Sequence, residues 1–216
     1  MQFTRLIAVR HGETAWNVDT RIQGHLDIPL NETGLWQAGR VAQALAGEDI
    51  QAIYASDLAR ASQTAAHVAE AKGMPLVHEI GLRERAFGEF QGQTFQDIQH
   101  RWPDESVLWR KRDPHFAPPG GGESLVDFGV RILSAVDRLA QQHQGQQILL
   151  VAHGGVMDVL YRAATRLDVQ APRSWHLGNA AINRLLWTPD GLTLVGWADT
   201  SPVSYTHLRA HETGRN

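Results

Sequence analysis

Apolar runs of strand length alternate along this chain with longer segments in which apolar residues recur every three to four positions. The runs LIAV (Leu6–Val9), AIYAS (Ala52–Ser56) and QILLVAH (Gln147–His153) are continuous rather than alternating. That is the pattern of strands buried on both faces. MPLVHE (Met74–Glu79) reads as a short third strand of the same kind. Between the strands, TGLWQAGRVAQALAG predicts a helix with Trp36, Val41 and Leu45 for one face and Gly47 as its stop. DLARASQTAAHVAEAKG predicts another, capped by Ser56 or Asp57 and ending at Gly73. TFQDIQHRW reads as a short helix capped by Thr94, and ESLVDFGVRILSAVDRLAQQHQ as a long amphipathic one. A further helix runs from about Val156 to Arg166. AINRLLWTPDGLTLVGWAD predicts a hairpin turning at Pro189-Asp190-Gly191. Strand–helix alternation implies parallel pairing through right-handed crossovers. The fold expected is therefore α/β: a three-layer sandwich with a mostly parallel sheet flanked by helices, the closing hairpin adding antiparallel edge strands.

Composition narrows the possibilities. The chain has 216 residues, 43% of them hydrophobic and 20% charged, which suffices for one large domain with a full core. No stretch rich in Pro, Gly or Ser divides it, so residues 1–200 read as a single domain. The last residues, SPVSYTHLRAHETGRN, continue no pattern, and 201–216 read as a non-native or disordered tail. That tail holds His207 and His211 at a spacing that could bind metal on a helix. There is no cysteine, which excludes disulfides, zinc thiolate sites and thiol catalysis. The formal net charge of −3 offers no global basic footprint for nucleic acid. No run approaches the ~18 apolar residues that cross a membrane, and FTRLIAVR is too short and charged for a secretory leader. The chain is expected to be cytoplasmic, with no membrane or nucleic-acid partner; its oligomeric state is open.

The strand ends carry the chemistry. In open α/β sheets ligands bind at the carboxyl ends of the strands. After LIAV come Arg10, His11 and Gly12; after AIYAS comes a helix with Arg60 in its first turn; after ILLVA come His153, Gly154 and Gly155. Arginine is a planar, bidentate donor suited to phosphate or carboxylate. Glycines allow close approach to backbone N–H groups, and helices that begin here direct their positive ends at the same place. Any one of these residues is unremarkable: His11 could be a turn histidine and Arg60 a solvated helix residue. Together they describe a pocket for a phosphoryl group.

The stretches RHGET with Trp16-Asn17, SDLARASQTA, LRERAFGEFQG and VAHGG occur in this order. Together they resemble the histidine phosphatase superfamily, with its phosphoglycerate mutase-like fold, over roughly residues 4 to 199. The resemblance implies that His11 attacks phosphorus and becomes a phosphohistidine. It implies that Arg10, Arg60 and a protonated His153 hold the phosphoryl oxygens, so that neither metal nor cofactor is required. Asn17 matches a further phosphate ligand, Gly154 belongs to the same binding loop, and Thr14 and Gln23 fall where the family touches substrate or phosphate. Glu84 aligns with the general acid, with Glu89 as a weaker neighbour. Without the family pattern, Glu84 would read as a surface partner of Arg83 or Arg85. Glu13 reads as a carboxylate complementing a helix start.

Three functions remain in view. The first is a phosphatase for small phosphorylated metabolites. The second is a cofactor-dependent phosphoglycerate mutase, and the third a phosphate-binding module without turnover. Mutases of this resemblance have asparagine after the second HG, where this chain has Gly155, and a longer arginine-lined insertion before it. The short PPGGGESL segment and RIQGHLDIPLNETG resemble the phosphatase branch. The basic triplet Arg110-Lys111-Arg112 reads as a solvated face or as a site for a second anionic group. Phe87, Phe90, Phe95, Trp102, Trp109 and Phe116 are expected in a lid, some as packing and some as pocket wall.

Overall fold

The computed structural model describes residues 2–204. Its centre is a six-stranded sheet built from β1 (Thr4–Arg10), β2 (Ala52–Ala55), β3 (Leu76–His78), β4 (Gln147–Ala152), β5 (Ile182–Thr188) and β6 (Gly191–Asp199). The spatial order is β3-β2-β4-β1-β5-β6. The first four strands pair in parallel, β5 pairs antiparallel with β1, and β6 pairs antiparallel with β5 at the edge. This is the mixed, mostly parallel sheet expected from the strand–helix alternation.

Helices cover both faces: α1 (Ala15–Val18), α2 (Glu32–Ala44), α3 (Ala59–Lys72), α4 (Phe95–Arg101), α5 (Pro103–Arg110), α6 (Leu125–Gln142) and α7 (Gly154–Thr165). The period-two geometry of strands divides the central runs between two cores. Leu6, Ala8, Ile148 and Leu150 pack with Phe128, Ile132 and Val136 of α6 and Met157 and Leu160 of α7. Ile7, Val9, Leu149 and Val151 face the other way, onto Val41 and Leu45 of α2 and Ala61, Ala65 and Val68 of α3. Strands that must be apolar on both faces lose their alternation, which is why LIAV and ILLVA read as continuous. Each buried Leu or Ile contributes about 1.5–3 kcal/mol.

Local differences from the sequence reading have physical causes. Helix α2 starts one residue earlier than expected because the Asn31 side chain accepts from the Gly34 N–H at 2.8 Å and caps it. Neither Ser56 nor Asp57 caps α3. Its N-cap is Leu58, and Asp27 from a distant loop takes the Ala59 N–H at 2.6 Å. The short helix expected at 94–102 is followed at once by α5, which begins on Pro103, with Trp102 serving both ends. Beyond β6, Ser201–Val203 form a single 3₁₀ turn whose Pro202 carbonyl accepts from Arg40 Nε at 2.9 Å. His207, His211 and the rest of the expected tail from 205 onward lie outside the described residues.

Candidate active site

The register of the sheet brings the strand ends to one height. Arg10 pairs with Ala152, and the His11 N–H donates to the Ala152 carbonyl at 2.9 Å. Ala55 pairs with Val151, and the Ser56 N–H donates to Val151 at 3.0 Å. His11, Ser56 and His153 therefore leave three adjacent strands side by side. The two imidazole rings lie edge to face with centroids 5.3 Å apart. Both are buried, as is Arg60 in the first turn of α3.

The imidazoles differ in what they present. His11 Nδ1 lies 2.7 Å from the Gly12 carbonyl, which only accepts, so Nδ1 carries the proton. Nε2 is then an unprotonated lone pair, with no hydrogen bond among the described residues. Burial first, and then the charges of Arg10 and Arg60, push the His11 pKa well below the usual imidazole range. His153 Nε2 lies 2.8 Å from Ser56 Oγ. Ser56 Oγ accepts from the Leu58 N–H at 3.3 Å and has its hydroxyl proton to donate to Nε2. His153 would then hold its own proton on Nδ1, which is buried and has no partner. Its pKa is also pushed well down, by burial first, then by Arg60, His11 and Arg10. Burial and the two neighbouring guanidiniums thus favour the neutral His153 ring.

The arginines are fixed by backbone carbonyls rather than by carboxylates. Arg60 Nη1 and Nη2 donate to Leu26 and Gly24 at 2.9 and 2.8 Å, and Arg10 Nη1 donates to Leu177. Burial lowers the Arg60 pKa to about 10, so it stays charged at neutral pH. Arg10 Nε, Arg60 Nε, His153 Nδ1 and Gln23 Oε1 are all buried without a partner. Buried polar atoms are seldom left so, and a cluster of them signals a ligand. Glycine makes room at two points. A Cβ at 154 would come within 3.3 Å of Arg10 Nε, and one at 12 within 2.6 Å of the Gly34 carbonyl. Gly12 thus serves the close packing of the histidine loop against α2, more than ligand approach as such.

Glu84 joins from the other side. Its Oε2 accepts from the Gly155 N–H at 3.0 Å and its Oε1 from the Arg85 N–H at 2.8 Å. A Cβ at position 155 would fall 2.2 Å from Oε1, so no side chain fits there while the carboxylate keeps this place. Neither flanking arginine pairs with Glu84. Arg83 grips Asp57 at 2.6 Å, and Arg85 donates to the Glu123 and Phe116 carbonyls. Three side chains hold the Glu84 loop. His25 Nε2 lies 2.7 Å from the Glu84 carbonyl. Arg131 donates to the carbonyls of Gly81, Arg83 and Glu84 at 3.1, 3.0 and 3.1 Å. Glu123 anchors Arg131 at 2.7 Å and accepts from the Ala86 N–H. These contacts run over long sequence separations: His25, Glu123, Arg131 and Ser56 all stand in stretches already quoted, but nothing local marked their roles.

Other candidates are distributed unevenly. Thr14 is buried and caps α1, its hydroxyl engaged with both the backbone and the side chain of Asn17. Asn17 Oδ1 accepts from Thr14 and from Asn179, which also donates to the His11 carbonyl at 3.0 Å. What Asn17 has left for a ligand is its Nδ2 amide. Glu13 binds the Asn31 amide at 2.8 Å, tying the loop to α2, and Glu89 is exposed. The basic triplet is split: Arg110 and Lys111 are exposed, while Arg112 turns inward to Asp158 at 2.8 Å. Phe90 packs on Trp102, Trp109 and Phe116 as a small core under the lid.

A cavity of about 750 Å³ opens from this cluster. Arg10, Glu84, Gly154 and Gly155 line it, and Phe87, Phe95 and Trp109 give it an aromatic wall. Arg173 also lines it, near enough to Arg10 and Arg112 to lower both their pKa values, and has no hydrogen bond or ion pair among the described residues. Among those residues, no group of three or more acidic or histidine side chains is placed to hold a metal ion, and no helix is long and apolar enough to cross a membrane.

Comparison with known proteins identifies the family. The sequence model of the histidine phosphatase superfamily (branch 1) matches residues 6–200. Phosphoglycerate mutase-like protein 4 of Arabidopsis thaliana is 36% identical over 95% of this chain and 90% of its own. The metal-independent phosphoserine phosphatase of the same plant is 35% identical over 94% of this chain and 84% of its own. The solved structure of YhfR from Bacillus stearothermophilus superposes with a TM-score of 0.84 at 30% identity, covering 93% of this chain and all of the other.

Proposed function

The chain belongs to the histidine phosphatase superfamily, branch 1, with a phosphoglycerate mutase-like fold, and from that premise we propose how its pocket hydrolyses phosphomonoesters. The working unit in this reading is residues 1–200, a span supported by the family match at 6–200. The phosphoryl group enters between Arg10, Arg60 and His153. His11 Nε2 attacks phosphorus while Nδ1–H stays on the Gly12 carbonyl. The bond to the leaving oxygen breaks, and that oxygen takes a proton from Glu84. The resulting Glu84 carboxylate then removes a proton from water, whose oxygen displaces His11 and releases inorganic phosphate. Charge spread over the transferring group meets Arg10, Arg60, the Asn17 amide and the Gln23 amide, with Gly154 at the start of α7 supplying backbone. With the phosphate dianion beside it, His153 takes up a proton, and Thr14 acts by holding Asn17. This donor inventory does the work a metal would otherwise do.

The observation that carries the reading is the unprotonated Nε2 of a neutral, buried His11 beside two buried arginines whose Nε atoms have no hydrogen-bond partner. Hydrolysis rather than mutase chemistry is supported by Gly155, whose missing side chain leaves Glu84 its place. The unpaired Arg173, lying near Arg10 and Arg112, favours leaving groups that carry a second negative charge. Small phosphomonoesters of that kind are charged and retained by membranes, so the cytoplasm is the compartment proposed. The test is phosphate release from p-nitrophenyl phosphate, O-phosphoserine and 3-phosphoglycerate, with EDTA throughout. Turnover is expected in the wild type and a loss of at least about 1,000-fold in His11→Ala. Interconversion of phosphoglycerates with little free phosphate, or activity that survives in His11→Ala, would overturn the proposal.

A further inference from the structure

A single turn touches both halves of the reaction centre. Residues 23–27 bend at Gly24, whose φ of +52° favours glycine. A Cβ there would also collide with Gln91 Oε1, the atom that accepts the His25 N–H at 2.8 Å. The carbonyls of Gly24 and Leu26 hold the two Nη atoms of Arg60 at 2.8 and 2.9 Å, and Asp27 takes the Ala59 N–H at the start of α3. His25 stands between those two carbonyls in the chain, and its side chain goes elsewhere: Nε2 lies 2.7 Å from the carbonyl of Glu84. A carbonyl only accepts, so Nε2 carries a proton whether the ring is neutral or charged. The turn that fixes a phosphate-binding cation thus also holds the backbone of the acid.

That link has a use in the reaction. A basic leaving oxygen needs a proton delivered as its bond breaks, and misplacing a catalytic group by about 1 Å costs about a hundredfold. The Glu84 carboxylate is held by the Gly155 and Arg85 N–H groups, one at the start of α7 and the other in its own loop. Arg131 joins the Glu84 carbonyl to α6 at 3.1 Å. His25 joins the same carbonyl to the turn that holds Arg60, and so registers the acid against the cation that receives the phosphoryl group. We propose that His25 is a positioning residue for the general-acid step. It acts through Glu84 rather than on the reacting atoms. The inference rests on the phosphatase reading, in which Glu84 protonates the leaving oxygen. The contribution of His25 then grows with the leaving group's need for a proton. A residue that merely supports the fold would affect all leaving groups alike.

The test compares two aryl phosphates through kcat/KM, which covers binding and transfer to His11 but not the later hydrolysis. Phenyl phosphate releases a basic phenolate that needs the proton, and 2,4-dinitrophenyl phosphate releases one that does not. In His25→Leu the loss on phenyl phosphate is expected to exceed the loss on the dinitrophenyl ester by about tenfold, the worth of one hydrogen bond. His25→Gln, whose amide can donate at the same place, should recover most of that difference. Glu84→Gln should show the same selective loss, and adding His25→Leu to it should change the ratio no further. Each variant is checked by its melting profile, and His25→Phe takes the place of His25→Leu if leucine prevents folding. Equal losses on the two esters, or a selective loss that His25→Leu still adds in the Glu84→Gln background, would make His25 a structural support and overturn the inference. So would a folded His25→Leu enzyme with wild-type kinetics on both. A Glu84→Gln enzyme without the selective loss, or wild type inactive on both esters, would instead strike the phosphatase reading, and this inference with it.

Discussion

Ser56 links the end of β2 to the histidine that follows β4. It is fully buried, accepts from the Leu58 N–H, and lies 2.8 Å from His153 Nε2. Donation of its hydroxyl proton to Nε2 leaves His153 its own proton on Nδ1, the atom that the proposed mechanism turns toward the phosphoryl group. Ser56→Ala should lower kcat on p-nitrophenyl phosphate by about tenfold, the worth of one buried hydrogen bond of about 1–1.5 kcal/mol. Steady-state kinetics beside a thermal melt checks this. Unchanged kcat in a folded variant would remove Ser56 from the mechanism. The sequence made Arg10, His11, Arg60 and His153 legible because each sits at the end of an unmistakable buried strand or in the next helical turn. Ser56 stood in the same stretch but read as a helix cap, since serine before a helix so often is one. Only the distant Asp27, which takes the capping bond instead, freed it for another role.

At the scale of elements, the site depends on a loop that has little regular structure of its own. Glu84 lies between short 3₁₀ turns, and Arg131 from α6 holds it by three carbonyls while Glu123 steadies Arg131. Arg131→Met keeps the length of the side chain and its packing on Phe128 but removes every one of these donors. It should cost about 2 kcal/mol in stability, since the donors are charged yet about a quarter exposed. It should also reduce kcat through misplacement of Glu84, and denaturant titration with kinetics on the same sample measures both. Loss of stability with kcat intact would show that the loop keeps its place without the clamp. The strands and long helices were readable because their patterns repeat over many residues. In the 82–122 stretch only the helix capped by Thr94 was, because the rest takes its order from carbonyl clamps and aromatic contacts between residues far apart in sequence.

For the whole molecule, burying two neutral histidines among arginines links stability to pH. A histidine whose folded pKa lies below its unfolded value of about 6.5 binds its proton first in the unfolded chain. Its burial is without penalty above that pH and becomes destabilising as pH falls below it. Both His11 and His153 are pushed in this direction. His153→Gln should therefore melt higher relative to wild type at about pH 5 than at about pH 8. Inorganic phosphate should narrow the difference by stabilising a protonated His153 in the wild type. Parallel melting profiles at both pH values would mean that His153 is not held neutral. The layered architecture follows from apolar strands that need cover on both faces, and it places the strand ends, with their cations and imidazoles, under one lid. The cavity beyond them is lined by side chains from α5, α7 and the segment after α7 that no local pattern connects.

The most direct measurement is a rapid-quench experiment with phosphorus-radiolabelled substrate, followed by mapping of the label. The expected result is a protein-bound phosphoryl group that is labile in acid and stable in base, approaching about one per chain at saturation. It should map to His11, be absent from His11→Ala and accumulate when Glu84→Gln slows its hydrolysis. Steady turnover with no trapped label in the wild type or in Glu84→Gln, or a label at any other residue, would contradict a phosphohistidine mechanism at this site.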